Sequence, residues 1–323
     1  MKFPIAQTMA CLLAGIAATP LAQAQWKADV GAESTDHAVQ VFSFLPNEMW
    51  VHEGDSITFN FAVDLPNTVT FLRPDQVRTS DFQGCPGATP NPTGFDGSQC
   101  VNSGPMFAGQ SYTVLFPSPG NYKMANLFHE NDIGTIHVLE RSQPLPHDQA
   151  WYNRMAANSR RNLLAQGLLA DAVGHVDAQA NHAVVAGSGV VGASPGGQQT
   201  VSVMRFMQSQ VTIHKGQTVE WINEDPVTPH TITFGAEPDG PPWPPSSNVT
   251  VDPDGARHAT INSIADNVHS GFIMSSGDER VGVPQAPLEV TRFRVTFTRP
   301  GLYRYICALH DGMGMKGTVV VLP

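Results

Sequence analysis

Short runs of alternating apolar and polar residues recur along most of this 323-residue chain. Ser56-Ile57-Thr58-Phe59 and Arg292-Phe293-Arg294-Val295-Thr296-Phe297 are two of the clearest. A period of two puts apolar side chains on one face of a strand and polar ones on the other. The Arg292/Arg294 side is then a solvated face, with a docking patch as the alternative. Gly and Pro, 29 and 26 residues, punctuate these runs, and only 14% of the chain is charged. Many short strands joined by turns predict an all-β sandwich.

Two stretches break the pattern. Residues 147–173, HDQAWYNRMAANSRRNLLAQGLLADAV, hold strong helix formers and no β-branched residue before the last position. Asp148 suits the N-cap. Trp151 and Met155 share one face, as do Leu164, Leu168 and Ala172. This predicts a helical linker, interrupted near Ser159 and packed on its neighbours. VVAGSGVVGASPGG (184–197) then returns to strand. The other stretch is the apolar run Met9–Leu21, preceded by Lys2 and followed by AQAQ. It reads as a secretory signal over 1–24, cut between Ala24 and Gln25. No other segment approaches the length of a membrane span.

The chain also contains itself twice. VFSFLPNEMWVHEGDSITFNFAVDLPNTVTF (41–71) matches VMRFMQSQVTIHKGQTVEWINEDPVTPHTITF (203–234). VNSG (101–104) matches VHSG (268–271), and residues 111–139 match 292–322. Three blocks in the same order mean one duplicated unit. The expected organisation is residues 25–140, a linker over 141–182, and 183–323. Each copy is expected to be a Greek-key sandwich.

A formal charge of −10 argues against nucleic acid and anionic membranes as partners. Cysteine usage adds more. Cys11 falls within the leader, leaving Cys85, Cys100 and Cys307. Cys85 and Cys100 flank a Pro/Gly-rich loop and are expected to pair, as an oxidising compartment allows. Closing that loop stabilises by roughly 3 kcal/mol in the chain-entropy picture. Cys307 is left as a lone thiol.

Its surroundings suggest why. His230 opens a strand after Pro229, Cys307 ends the strand LYRYIC, and His310 and Met315 follow in a Gly-rich loop. Two imidazoles and a thiolate in a plane, with a weak thioether above, make an electron-transfer copper site. Thiolate and thioether suit Cu(I), and imidazole accepts both oxidation states.

CALHDGMGMKGTVVV resembles the copper loop of plastocyanin and pseudoazurin, Cys-x2-His-x4-Met before a closing strand. PHTITF resembles the segment with the first histidine of those cupredoxins, and GLYRYIC fits their G-x-Y-x-[YF]-x-C strand. The resemblance covers most of 200–323. It implies one type 1 blue copper held by His230, Cys307, His310 and Met315, with electrons passing through a partly exposed His310 ring. Met313 is an alternative axial ligand, since amicyanin loops place Met nearer the His. Thr231 stands where these families commonly carry an Asn that ties the ligand loops together.

The first copy lacks such a set. Asn67 falls where His230 does, Asn126 where Cys307 does, and His129 where His310 does. No blue copper is expected there. His129, Glu130 and Asp132 could hold another metal; packing, docking or covering the copper site are the other roles. The equivalent His52 and His214 are expected to be structural.

Three functions compete. The resemblance implies a periplasmic or secreted electron carrier with cytochromes or reductases as partners. Copper oxidase or nitrite reductase chemistry needs further histidines, but the chain has no His-x-His, and Ile306 and Ala308 flank Cys307. Copper storage, delivery or resistance is suggested by Met204, Met207, Met274, Met313 and Met315, without a dense Met/His tract.

Overall fold

A computed structural model describes residues 24–76, 85, 88–129, 131–181, 183–240, 244–275 and 290–323. The expected leader, up to residue 23, and Glu130 lie outside the described residues. The N-terminal half runs β1 (Gln25–Glu33), β2 (Val39–Leu45), β3 (Glu48–His52), β4 (Ser56–Phe61), β5 (Thr70–Phe71), β6 (Thr93–Gly94), β7 (Val101–Asn102), β8 (Ser111–Leu115), β9 (Gly120–Ala125) and β10 (Ile133–Leu139). Helix α1 (Gln149–Asn181) follows. The C-terminal half runs β11 (Val184–Ser194), β12 (Gly197–Met207), β13 (Gln210–His214), β14 (Thr218–Glu224), β15 (Thr233–Phe234), β16 (Thr250–Val251), β17 (Arg257–Ile261), β18 (Val268–His269), β19 (Arg292–Phe297), β20 (Gly301–Ile306) and β21 (Lys316–Leu322).

The duplication read in the sequence recurs in strand order. One layer of the N-terminal half is β2-β1-β4-β8-β6 and the other β3-β10-β9-β5-β7. Their C-terminal counterparts are β12-β11-β14-β19-β17-β16 and β13-β21-β20-β15-β18. Alternating strands fill each core: β4 buries Ile57, Phe59 and Phe61, and β19 buries Phe293, Val295 and Phe297. Cys85 and Cys100 form a disulfide with Cα atoms 5.5 Å apart. His52 Nε2 lies 2.8 Å from the Gln143 carbonyl, and His214 Nδ1 3.0 Å from that of Pro323. Both turns are thus tied to the chain leaving their sandwich.

The halves are not loosely tethered. β2 pairs antiparallel with β12, opposing Val39 to Val203, Gln40 to Ser202 and Val41 to Val201. Val41 and Val203 are equivalent in the repeat, so a pseudo-twofold axis passes between Gln40 and Ser202. Both of these residues are fully buried.

Helix α1 lies across this seam, beside Val39, Val41 and Val201 at one end and Val185, Val203 and Met207 at the other. Asp148 Oδ1 accepts from Trp151 N at 2.7 Å, forming the expected cap. The expected interruption at Ser159 is absent; the helix is continuous for 33 residues. Its packed face also differs from expectation. Leu168 is 62% exposed and Ala172 is exposed. The buried line is Tyr152, Ala156, Leu163, Gly167, Ala170, Gly174 and Ala178. The cause is close approach: a Cβ on Gly167 would lie 2.2 Å from Val39 Cγ1 and 2.9 Å from Val201 Cγ1. Small residues, not the largest apolar ones, meet the sheet.

The arginines of β19 face outward but are held by carboxylates. Arg294 bonds Asp252 at 3.0 Å, Asp254 at 2.7 Å, and Glu220. Arg292 lies 3.1 Å from Asp254. The Arg294 guanidinium holds the Asp254 carboxyl down at about 2.

Candidate metal centre

The C-terminal half brings four of the singled-out residues to one end of its sandwich. His230 is fixed by a two-way backbone bridge to Ile273, with N···O distances of 3.0 and 2.8 Å. Cys307 directly follows β20. The chain then turns through a single 3-10 turn, Asp311–Met313. His310 N donates to Cys307 O at 3.0 Å and Met315 N to His310 O at 3.2 Å. Gly314 has φ 86°, the left-handed conformation that glycine adopts without penalty. Met315 N–H and carbonyl are both used, since Cys307 N donates to Met315 O at 3.1 Å.

The result is a convergent donor set. His230 Nδ1 lies 3.8 Å from Cys307 Sγ, His310 Nδ1 3.5 Å from it, and the two Nδ1 atoms are 3.2 Å apart. Donors bound to one ion at about 2.0 Å (nitrogen) and 2.3 Å (sulfur), spread trigonally, lie about 3.5–3.8 Å apart. The three separations bracket those values, so the residues fit a metal. Among the described residues, this is the one group of three close metal-ligating side chains. All are buried, with His230 and Cys307 at 0%.

The electrostatics favour a thiolate. Burial alone raises the Cys307 thiol, but the charge of His310 and the bonds from both imidazoles bring it well below its ordinary value. Burial opposes protonation of His230, yet Asp225 and Cys307 outweigh it and push it up to about 9. A metal here replaces that proton as the partner of the thiolate.

Thr231 does the tying that the missing Asn would do. Its hydroxyl accepts from Ala308 N at 2.8 Å, and its own N–H points to Cys307 Sγ at 3.4 Å. Thr68 does the same in the first copy, accepting from Leu127 N at 2.8 Å.

One expectation is corrected. His310 is 4% exposed, not a partly exposed ring. Met313, in the same loop, packs against Phe42 and Leu65 of the N-terminal half, with Met204 and Val227. Phe42 in turn stacks on His129, ring centroids 3.6 Å apart. The N-terminal half therefore covers the loop that carries His310.

That half fills its own equivalent site with hydrogen bonds. Asn126 Nδ2 donates to Asn67 Oδ1 at 2.6 Å and to Asp132 Oδ2 at 3.1 Å. His129 Nε2 is 3.2 Å from the Pro66 carbonyl. Neutral amides stand where thiolate and imidazole would be needed.

Two residues escaped sequence reasoning. Gly187, φ 78°, backs His230 so closely that a Cβ would lie 2.0 Å from its Nε2. Asp225, fully buried, places Oδ2 3.6 Å from the same nitrogen. The repeat offered a signal for the second: the first copy carries Val63 at the position of Asp225 and Asn67 at that of His230.

Residues 195–322 match the family model of copper binding proteins, plastocyanin/azurin family. Plastocyanin of Scenedesmus fuscus is 28% identical over 116 residues, covering 36% of this chain and 85% of that protein. Plastocyanin of Nostoc punctiforme is 28% identical over 119 residues, 37% of this chain and 66% of that protein. Among solved structures, oxidised plastocyanin of Dryopteris crassirhizoma is similar at 19% identity, covering 43% of this chain and 98% of that one, with TM-score 0.22. Residues 195–322, which enclose the His-Cys-His group, are thus similar to the plastocyanin/azurin family of copper-binding cupredoxins.

Proposed function

We propose that this chain is a secreted or periplasmic blue copper protein that passes single electrons between small redox proteins such as cytochromes or reductases. His230 Nδ1, Cys307 Sγ, His310 Nδ1 and the Met315 thioether would hold one copper, which supplies the one-electron couple. The observation that carries this reading is the convergence of two Nδ1 atoms and a thiolate sulfur within 3.8 Å of one another. Met315 is fully buried in the same core as Cys307, whereas Met313 packs on Phe42 and Leu65, which supports Met315 as the fourth ligand. The ligands hang on a paired sheet and a hydrogen-bonded loop, a frame that resists rearrangement between oxidation states.

The working division is residues 25–140 as a copperless cupredoxin-like unit, 141–182 as a helical connection and 183–323 as the copper unit. The Cys85–Cys100 disulfide and the apolar leader support export. Among the described residues no helix is long and apolar enough to cross a membrane.

A second reading, copper storage or delivery, is favoured by one observation. His310 is 4% exposed beneath a loop capped by the N-terminal half. Voltammetry and chelator challenge of the copper-loaded protein separate the two. A reversible one-electron wave with rapid reoxidation by a small c-type cytochrome is expected of a carrier. Copper locked as Cu(I), exchanging electrons slowly and resisting a strong Cu(I) chelator, would instead make retention the function.

A further inference from the structure

Behind His230 the chain has built a second, fully buried polar cluster. Asp225 sits at the end of β14, and its Oδ1 accepts three hydrogen bonds: from Ser202 Oγ at 2.9 Å, Val227 N at 2.9 Å and Thr228 N at 2.8 Å. Its backbone N–H donates to Asn223 Oδ1 at 2.7 Å. Three contacts fix the carboxylate and a fourth its backbone, and all of them leave Oδ2 unused. That oxygen faces His230 Nε2 at 3.6 Å, and neither atom has a hydrogen-bond partner. The separation is a charge contact rather than a hydrogen bond. Gly187 closes the remaining side of the ring.

We infer that Asp225 is a positioning and potential-setting residue of the copper centre, an inference that rests on the copper assignment above. Two physical consequences follow from its placement. With Nδ1 turned toward Cys307 and His310, the Nε2 side carries the ring proton, and a fixed carboxylate on that side selects this tautomer. A buried negative charge close to a ligand also stabilises the more positive oxidation state, so Asp225 favours Cu(II) over Cu(I) and lowers the potential. Because Ser202 lies on the pseudo-twofold axis between β2 and β12, the carboxylate is anchored on the seam between the halves rather than in a surface loop. The first copy, with Val63 and Asn67 at the corresponding positions, has neither partner of the contact.

The test uses the full-length, copper-loaded protein. Asp225→Asn keeps an oxygen for the three donors and removes the charge. The expected result is a blue protein whose ratio of Cu(I) to Cu(II) affinity rises tenfold or more, an upward shift of about 59 mV or more for a one-electron couple. A blue Asp225→Asn protein with the wild-type potential would overturn the inference. Should the variant not fold, the ring proton is read directly in the wild-type protein: ¹⁵N NMR of the Cu(I) form is expected to show His230 Nε2 protonated and slow to exchange. An unprotonated or rapidly exchanging Nε2 would equally overturn it. A wild-type protein without a blue band would refute the copper assignment itself, a separate failure.

Discussion

Gly187→Ala is expected to remove the copper centre and destabilise the fold by about 3 kcal/mol or more. Two effects add. The backbone at Gly187 has φ 78°, where an L side chain is strained by roughly 1–2 kcal/mol. The new methyl would also lie 2.0 Å from His230 Nε2, 2.5 Å from Cδ2 and 2.9 Å from Cε1. The ring has no free side to move into, since it is fully buried among Asp225, Cys307 and His310. Either the imidazole leaves its place or β11 leaves β14. Denaturant unfolding and copper stoichiometry check this together. Gly31→Ala is the matched control: it has the same positive φ in the equivalent bulge, but its methyl meets Val63 at 2.9 Å. It should lose stability and keep copper. A Gly187→Ala protein that stays blue and as stable as wild type would show that His230 is not held as described.

Phe42→Ala is expected to lower stability by about 3–4 kcal/mol while leaving the copper ligands in place. Phe42 is fully buried on β2, stacked on His129 and packed with Met204, Val227, Leu65 and Met313. None of these is a proposed ligand. The cavity would open beneath Met313, the residue through which the N-terminal half covers the copper loop. Reduction of the Cu(II) form by a small reagent such as ascorbate should accelerate, with the visible spectrum unchanged. An unchanged rate would mean that the N-terminal half does not control access to the site. On the proposed division, the first copy, with Asn67 and Asn126 hydrogen-bonded where the second has His230 and Cys307, would serve as the wall over the copper loop.

The architecture was largely legible in the sequence because period-two strands and a repeat are local signals. Ile57, Phe59, Phe293, Val295 and Phe297 went to the core as the alternation requires. The His-Cys-His group was legible because Cys307 and His310 lie three residues apart beside a Gly-rich loop, and His230 follows a proline in a repeated segment. What the sequence hid was tertiary. Apolar size pointed to Leu168 as a packing residue, but the seam between two valine-lined strands admits only Gly167 and Ala170 beside it. The family resemblance implied a partly exposed His310 ring, whereas it is 4% exposed. The loop that carries it packs, through Met313, with Phe42 and Leu65, more than 240 residues away in sequence. Gly187 carries no spacing signal toward His230; the parallel pairing of β11 with β14 brings it behind the ring.

The most direct test of a thiolate-bound copper is a visible absorption and EPR spectrum of the protein loaded with Cu(II), beside Cys307→Ser. The buried thiolate and two imidazoles should give an intense blue charge-transfer band and narrow copper hyperfine splitting, at one copper per chain, both lost in the variant. A colourless wild-type protein with ordinary Cu(II) signals, or a blue band that survives Cys307→Ser, would contradict it.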